Sequence, residues 1–308
     1  MISSKRKEKI AILIPVHNGL ELTRKCLKDL YETLQTSSLH LYNYIPVVID
    51  DGSTDSTTQW IQNNFKDCTV LSGDGNLWWS GAVNLGAKHA IEVLQVDFIL
   101  LWNNDIKTHP DYFPVLSSFI SKMDSISIVG SVIYADPDFQ NIWSAGGIFN
   151  PYTGNKFMIK HISSDNINEN QVLEVDWLTG MGTLIPKKVI DRIGYWDAKR
   201  FPQYYGDSDF TYRAKLNGIK ILMNPRLKIV NDLSNSGIKK VTHLREIIPT
   251  LTSIKSIHHI GKNFMFYRLY SKSPLAYLKF LEIYFYFFGG IIKRIIWNFF
   301  CKNRYNGE

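Results

Sequence analysis

Apolar residues come along this chain in short unbroken runs, separated by longer stretches of mixed polarity. Ile10–Pro15 (IAILIP) and Ile45–Ile49 (IPVVI) contain no polar side chain, which predicts strands buried on both faces. Thr69–Leu71, Asp97–Leu101 and Ile126–Val129 predict three shorter strands. Between them, Leu20–Leu34 spaces Leu20, Leu27, Leu30, Tyr31 and Leu34 as a helix does. Asp55 or Ser56 can cap a helix running to Phe65, Ser80–Leu94 reads as a helix, and Pro110 opens another. Strands alternating with helices predict an α/β fold with a mostly parallel, Rossmann-like sheet covered on both faces.

Beyond Gly130 the rhythm changes. Trp143–Phe149 and Val172–Trp177 predict strands, and Lys187–Ile193 and Ser208–Asn217 predict helices. Ile219–Leu222 and Leu227–Val230 predict two more strands, and long helices are expected from Thr250. There is no internal repeat and no low-complexity linker.

Length and composition narrow the class. With 308 residues, 45% hydrophobic and 20% charged, the chain is globular and long enough for one large domain or two smaller ones. Cys26, Cys68 and Cys301 are too scattered for a disulfide framework or a zinc site, which favours a reducing compartment. The apolar run Ile10–Val16 is too short for a signal-peptide core, and no stretch reaches the roughly 18 uncharged apolar residues of a membrane span.

Charge divides the chain unevenly. The net charge is +7, yet the residues from Lys239 onward hold 12 Lys and Arg against 3 Asp and Glu, so everything before them is net −2. The expected division is therefore 1–238, with halves at about 1–130 and 131–238, followed by a basic helical extension, 239–308.

Candidate chemistry sits at the strand ends. In open parallel sheets, ligands bind beyond the carboxyl ends of the strands. Three such ends carry polar groups: Pro15-Val16-His17-Asn18, Asp50-Asp51-Gly52-Ser53 and Asn103-Asn104-Asp105. Any one alone is a turn; together they point to a shared site. Neither GxGxxG nor GxxxxGK[ST] occurs, so a bound diphosphate needs a divalent metal for neutralisation, and Asp105 is placed to hold it. An Asx turn at Asp105 is the plainer reading, outweighed by the other two strand ends. Asp51 can accept hydrogen bonds from a base or ribose. Asp207, in Tyr204-Tyr205-Gly206-Asp207-Ser208-Asp209-Phe210, falls at a helix start, where a cap is the plain reading and a general base the sharper one. Gly180-Met181-Gly182 allows backbone to approach a ligand closely, or forms a simple bulge.

These residues resemble the family 2 glycosyltransferases with the GT-A fold, in particular the rhamnosyltransferase-like and galactofuranosyltransferase-like members. Four stretches match in order: ILIPVHN (Ile12–Asn18), VIDDGSTDST (Val48–Thr57), GNLWWSGAVNLG (Gly75–Gly86) with LLWNND (Leu100–Asp105), and Trp177–Gly218. The resemblance implies that Pro15, His17, Asn18, Asp51, Asn76 and Asn84 line the nucleotide. It implies that Asp105 is the metal-binding member of the DxD position, with Mn or Mg as cofactor. It implies that Asp207 is the catalytic base and that Trp79, Asn104, Trp177, Gly180 and Asp209 border the sugar and acceptor. The chain departs from the family at Asn103, which leaves one carboxylate at DxD, and at Gly206, where Glu is common. It departs again at Asn231, where many members have a metal-binding His; Asp232, His243, His258 and His259 are the substitutes at hand. The QxxRW motif of processive synthases is missing, which favours adding one sugar or a few.

Pro274–Phe300 mixes aromatic residues with Lys and Arg around a charge-free core of ten residues, Ile283–Ile292, broken by Gly289-Gly290. An interfacial helix pair on an anionic membrane is the favoured reading, ahead of a docking helix or a contact in a homo-oligomer. Nucleic acid is not expected as a partner, because no recognised module occurs. The expected activity is inverting transfer of a sugar from a nucleotide diphosphate-sugar to a glycan or lipid-linked acceptor. Cell-surface polysaccharide synthesis in the cytoplasm, at the inner face of the cell membrane, is the expected setting. The rivals are a non-catalytic glycan- or nucleotide-binding protein and a sugar nucleotidyltransferase.

Overall fold

The computed structural model describes residues 6–36, 41–123, 126–160, 168–231, 241 and 243–305, with side chains up to 294. The chain divides into two compact units, Met1–Ile148 with Met158–Asn235, and Phe149–Phe157 with Ser236–Glu308.

The first unit begins β1 (Lys9–Val16), α1 (Leu20–Thr36), β2 (Asn43–Asp50), α2 (Thr57–Asn64), β3 (Thr69–Ser72), α3 (Trp78–Glu92) and β4 (Phe98–Leu101). These are the alternating elements that the apolar runs predict. β5 (Ile106–Thr108), α4 (Tyr112–Ile120), β6 (Ser127–Tyr134), β7 (Ile142–Ser144), β8 (Gly147–Phe149) and β9 (Lys156–Met158) follow. Then come β10 (Leu173–Glu174), β11 (Thr183–Pro186), α5 (Lys187–Ile193), α6 (Gly206–Leu216) and β12 (Lys220–Asn231).

The main sheet runs β10-β12-β6-β11-β4-β1-β2-β3, with β5 beside β12 and β7 beside β6. β1 is parallel to β2 and β4, and β2 to β3. Successive side chains of β1 alternate between two cores. Ala11 and Leu13 join α3, α5 and α6 residues on one face, while Ile10, Ile12 and Ile14 join α1, α2 and α4 residues on the other. The expected two-sided cover is therefore present.

Several predicted elements differ. β11 enters antiparallel between β4 and β6, a central strand with no distinct sequence signal. The two strands expected over 219–230 are one strand, with a register shift between Asn224 and Lys228 around Pro225, which has no N–H for the ladder. Val172–Trp177 pairs only at Leu173–Glu174, with an isolated bridge from Trp177 to Gly147. Trp143–Phe149 splits into β7 and β8 where Gly146 turns with φ +79°.

The second unit holds α7 (Ile247–Thr252), α8 (Ile260–Tyr270) and α9 (Pro274–Tyr305). Tyr267 Oη donates to Gly154 O at 2.8 Å, and Phe280 packs against both Phe264 and Tyr267. α9 is a single helix of 32 residues, not the expected pair. Each glycine in a helix interior costs about 1 kcal/mol, a small penalty beside the packing on both sides of Gly289-Gly290. Pro274–Arg294 is long and apolar enough to cross a membrane, at mean hydropathy 1.4.

Candidate active site

Register places the site. Val16 pairs with Asp50 and Asp50 with Ser72, while Leu13 pairs with Leu101, so β1 to β4 end along one edge of the sheet. Because β11 is antiparallel, its start lies at that same edge: Thr183 pairs with Leu101, and Gly182 N donates to Leu101 O. This brings Gly180–Gly182 beside the loop after β4.

The loops after β1 and β2 lock together. His17 Nδ1 lies 2.6 Å from Asp51 O, Asn18 N donates to Ser53 Oγ, and Asn18 Oδ1 accepts from Thr54 N. Asp55 joins two helix starts, accepting from Leu20 N at 2.9 Å and from Thr57 N and Oγ1. Partial burial opposes its charge, yet the bonds from Thr57 and Leu20 hold its carboxyl below the usual carboxylate range.

Asp51 is buried, and each of its oxygens receives a backbone N–H: Gly75 at 2.8 Å and Trp78 at 3.0 Å. It thus anchors the loop that enters α3. A carboxylate has about four acceptor positions, so lone pairs remain for a ligand. Asp50, given no task by the sequence, accepts from Ser53 N and from the Thr58 hydroxyl.

The first turn of α3 is the hub. Trp79 Nε1 donates to Asn103 Oδ1 at 3.3 Å, and Trp79 N donates to Gln203 Oε1. Ser80 N and Oγ donate to Pro202 O and Phe201 O. The Trp79 ring lies against Gly180, where an added Cβ would stand 2.2 Å from Cζ2. Gly180 N donates to Asp207 Oδ2 at 3.0 Å, and Ser208 N to Asp207 Oδ1 at 2.7 Å. One indole therefore touches both the Asn103–Asp105 loop and the glycine that holds Asp207.

Tyr204 lies in the segment just before α6. Burial raises its hydroxyl pKa, and the negative charges of Asp105 and Asp207 raise it further. Tyr204 has no role in the sequence reading, although it sits three residues before Asp207.

Other expected site residues do different work. Asn104 Nδ2 donates to Thr23 Oγ1 at the start of α1, and Asn76 is exposed, its N–H bonded to Asp74. Asn84 exchanges two hydrogen bonds with the Trp196 backbone, holding the segment after α5. Trp177 is buried against Gly147. Asp209 is buried and ion-paired with Arg213, about 200° around the helix from Asp207. Pro15, next to last in β1, is half-buried and paired with Ile49.

No three His, Cys, Asp or Glu side chains gather as a ready metal cage among the described residues. A Mg or Mn ion arriving with a diphosphate needs only one or two protein carboxylates, the phosphates and water supplying the rest. Asp105 at the strand edge fits that demand. His259 caps α8, His258 packs on Phe287 and His243 pairs with Glu246, all within the second unit, and Asp232 lies outside the described residues.

Residues 11–180, more than half of the chain, match glycosyl transferase family 2. The chain belongs to that family. This family 2 chain is 25% identical over 178 residues to the low-salt glycan biosynthesis hexosyltransferase Agl10 of Haloferax volcanii. The match covers 57% of this chain and 54% of Agl10, about half of that relative's length. Among solved structures, the mannosyltransferase PcManGT from Pyrobaculum calidifontis, in complex with GDP-Man and Mn2+, aligns with TM-score 0.53 at 14% identity, covering 90% of this chain and 69% of that one. GalNAc-T7 with UDP, GalNAc and Mn2+ aligns at 0.56 and 13%, covering 83% and 50%. These likenesses establish the GT-A fold for the family 2 chain.

Proposed function

We propose that this chain transfers a sugar from a nucleotide diphosphate-sugar to a hydroxyl of a glycan or lipid-linked acceptor, inverting the anomeric centre. The observation that carries this reading is the Trp79 ring, which bonds Asn103 in the loop that carries Asp105 and lies against Gly180, whose N–H holds Asp207. Two carboxylates at one sheet edge can divide the work. Asp207 takes the acceptor proton as that oxygen bonds to the anomeric carbon, and the bond from that carbon to the diphosphate oxygen breaks. A sugar hydroxyl ionises far above neutral pH, so a positioned carboxylate aids the attack. Asp105 would hold a divalent ion, which when bound would offset the charge gathering on the leaving diphosphate. One displacement with one base inverts the centre, as in inverting glycosidases. The fold neighbours that hold UDP or GDP-Man with Mn2+ support the donor class.

The test is a thermal-shift panel of UDP-, dTDP- and GDP-sugars with and without Mn2+, read beside release of nucleoside diphosphate. One nucleotide class should raise the melting temperature with Mn2+ and be slowly hydrolysed. Asp207→Asn should lower transfer about a thousandfold while leaving the donor shift intact. Near-normal turnover by that variant removes Asp207 as the base, and a panel with neither shift nor release overturns the reading.

A further inference from the structure

The second unit carries an apolar surface that the transfer chemistry does not use. On α9, Ala276, Phe280, Tyr284 and Ile291 are buried. That face is fixed by polar bonds as well: Asn263 Nδ2 donates to Tyr284 Oη, Tyr284 Oη to His258 O, and Arg294 Nε to Val241 O. Leu278, Leu281, Phe285, Phe288 and Ile292 form a different stripe, between 39% and 75% exposed. Their spacing of three and four residues places them within an arc of roughly 80°. Lys279, Glu282 and Lys293 run along one border of it, with Lys279 Nζ bonded to Glu282 at 2.8 Å.

We infer that this stripe seats α9 in the plane of a bilayer surface bearing anionic phosphate headgroups. Three observations choose this occupant. A row of large apolar side chains standing in water, with Lys279, Glu282 and Lys293 along one border, is the pattern of an interfacial helix. The segment from Lys239 onward carries +9, so a second copy on the same stripe brings like charge against like, whereas an anionic leaflet is complementary. A perpendicular span needs lipid on every side of α9, and its other face is already occupied within the unit.

The experiment is co-sedimentation of the full chain with phosphatidylcholine vesicles, alone and with roughly one-third phosphatidylglycerol. The chain should pellet with the anionic vesicles, release in high salt or alkaline carbonate, and ignore the neutral ones. Leu281→Gln with Phe285→Gln should weaken partitioning at least about tenfold without moving the far-UV circular dichroism. Should that pair fail to fold, Leu281→Gln alone and the wild-type salt series give the same reading. Equal binding to both vesicle types, carbonate-resistant pellets, or a vesicle-indifferent dimer that the double variant dissociates each overturns the inference. It stands apart from the transfer reading: Asp207→Asn should keep vesicle binding, and the double variant should keep the donor-induced thermal shift.

Discussion

Gly180 is where one backbone N–H and one missing side chain serve the same purpose. Its amide holds Asp207 Oδ2, and its bare Cα admits the Trp79 ring. A methyl group there would overlap the ring, so either the indole or the 180–182 turn must shift. The first loosens the bond to Asn103 and the second the bond to Asp207. Misplacing a reacting group by about 1 Å can cost a hundredfold in rate. Gly180→Ala should therefore lower turnover between about tenfold and a hundredfold and lower the melting temperature by a few degrees through overpacking, while the donor shift persists. Unchanged turnover would show that neither contact aligns the base. The carboxylates were legible in the sequence because strand ends and helix starts name their own positions. Trp79 as a connector was not, since its partners Asn103, Gly180 and Gln203 all lie more than twenty positions away.

At the scale of elements, legibility followed how much each segment decides for itself. β1, β2 and β4 are runs of apolar side chains that fit a doubly covered strand, and they form where expected. β11 has four residues, and its state comes from Leu100 and Val129 on either side. α9 differed for the opposite reason: two glycines signal a break locally, but the buried residues before and after them keep one axis. Helix starts carry the same lesson in miniature. Either Asp55 or Ser56 could cap α2 by sequence; Ser56 makes no side-chain cap bond, while Asp55 serves α2 and α1 together. Losing a cap costs about 1 kcal/mol, and here one substitution removes donors' partners at two helices. Asp55→Ala should lower the melting temperature by about 2 to 4 °C at neutral pH. Hydrogen bonds to the charged carboxyl hold its pKa down, so this contribution is present above the ordinary carboxylate value and lost as acid takes the pH below it. Wild type and variant should thus converge in acid, as read by denaturation at pH 7 and near 3.

For the whole molecule, pH acts in the other direction through groups that burial keeps neutral. Burial pushes the Cys26 thiol up to about 12, with Asp29 and Asp105 adding to the shift, and pushes Cys68 up to about 11. Tyr31, Tyr44 and Tyr112 are raised by burial as well. In the unfolded chain these thiols ionise near 9, so the folded state binds more protons above that value. Stability is then complete below pH 9 and falls as pH rises through the folded values, at most about 1.4 kcal/mol per pH unit for each thiol. Urea unfolding at pH 8, 9 and 10 should show midpoints that hold and then fall. Cys26→Ala should be less stable at pH 8 because a buried group is removed, but its decline with pH should be shallower by about one proton. Parallel declines for wild type and variant would mean that Cys26 reaches solvent in the folded protein.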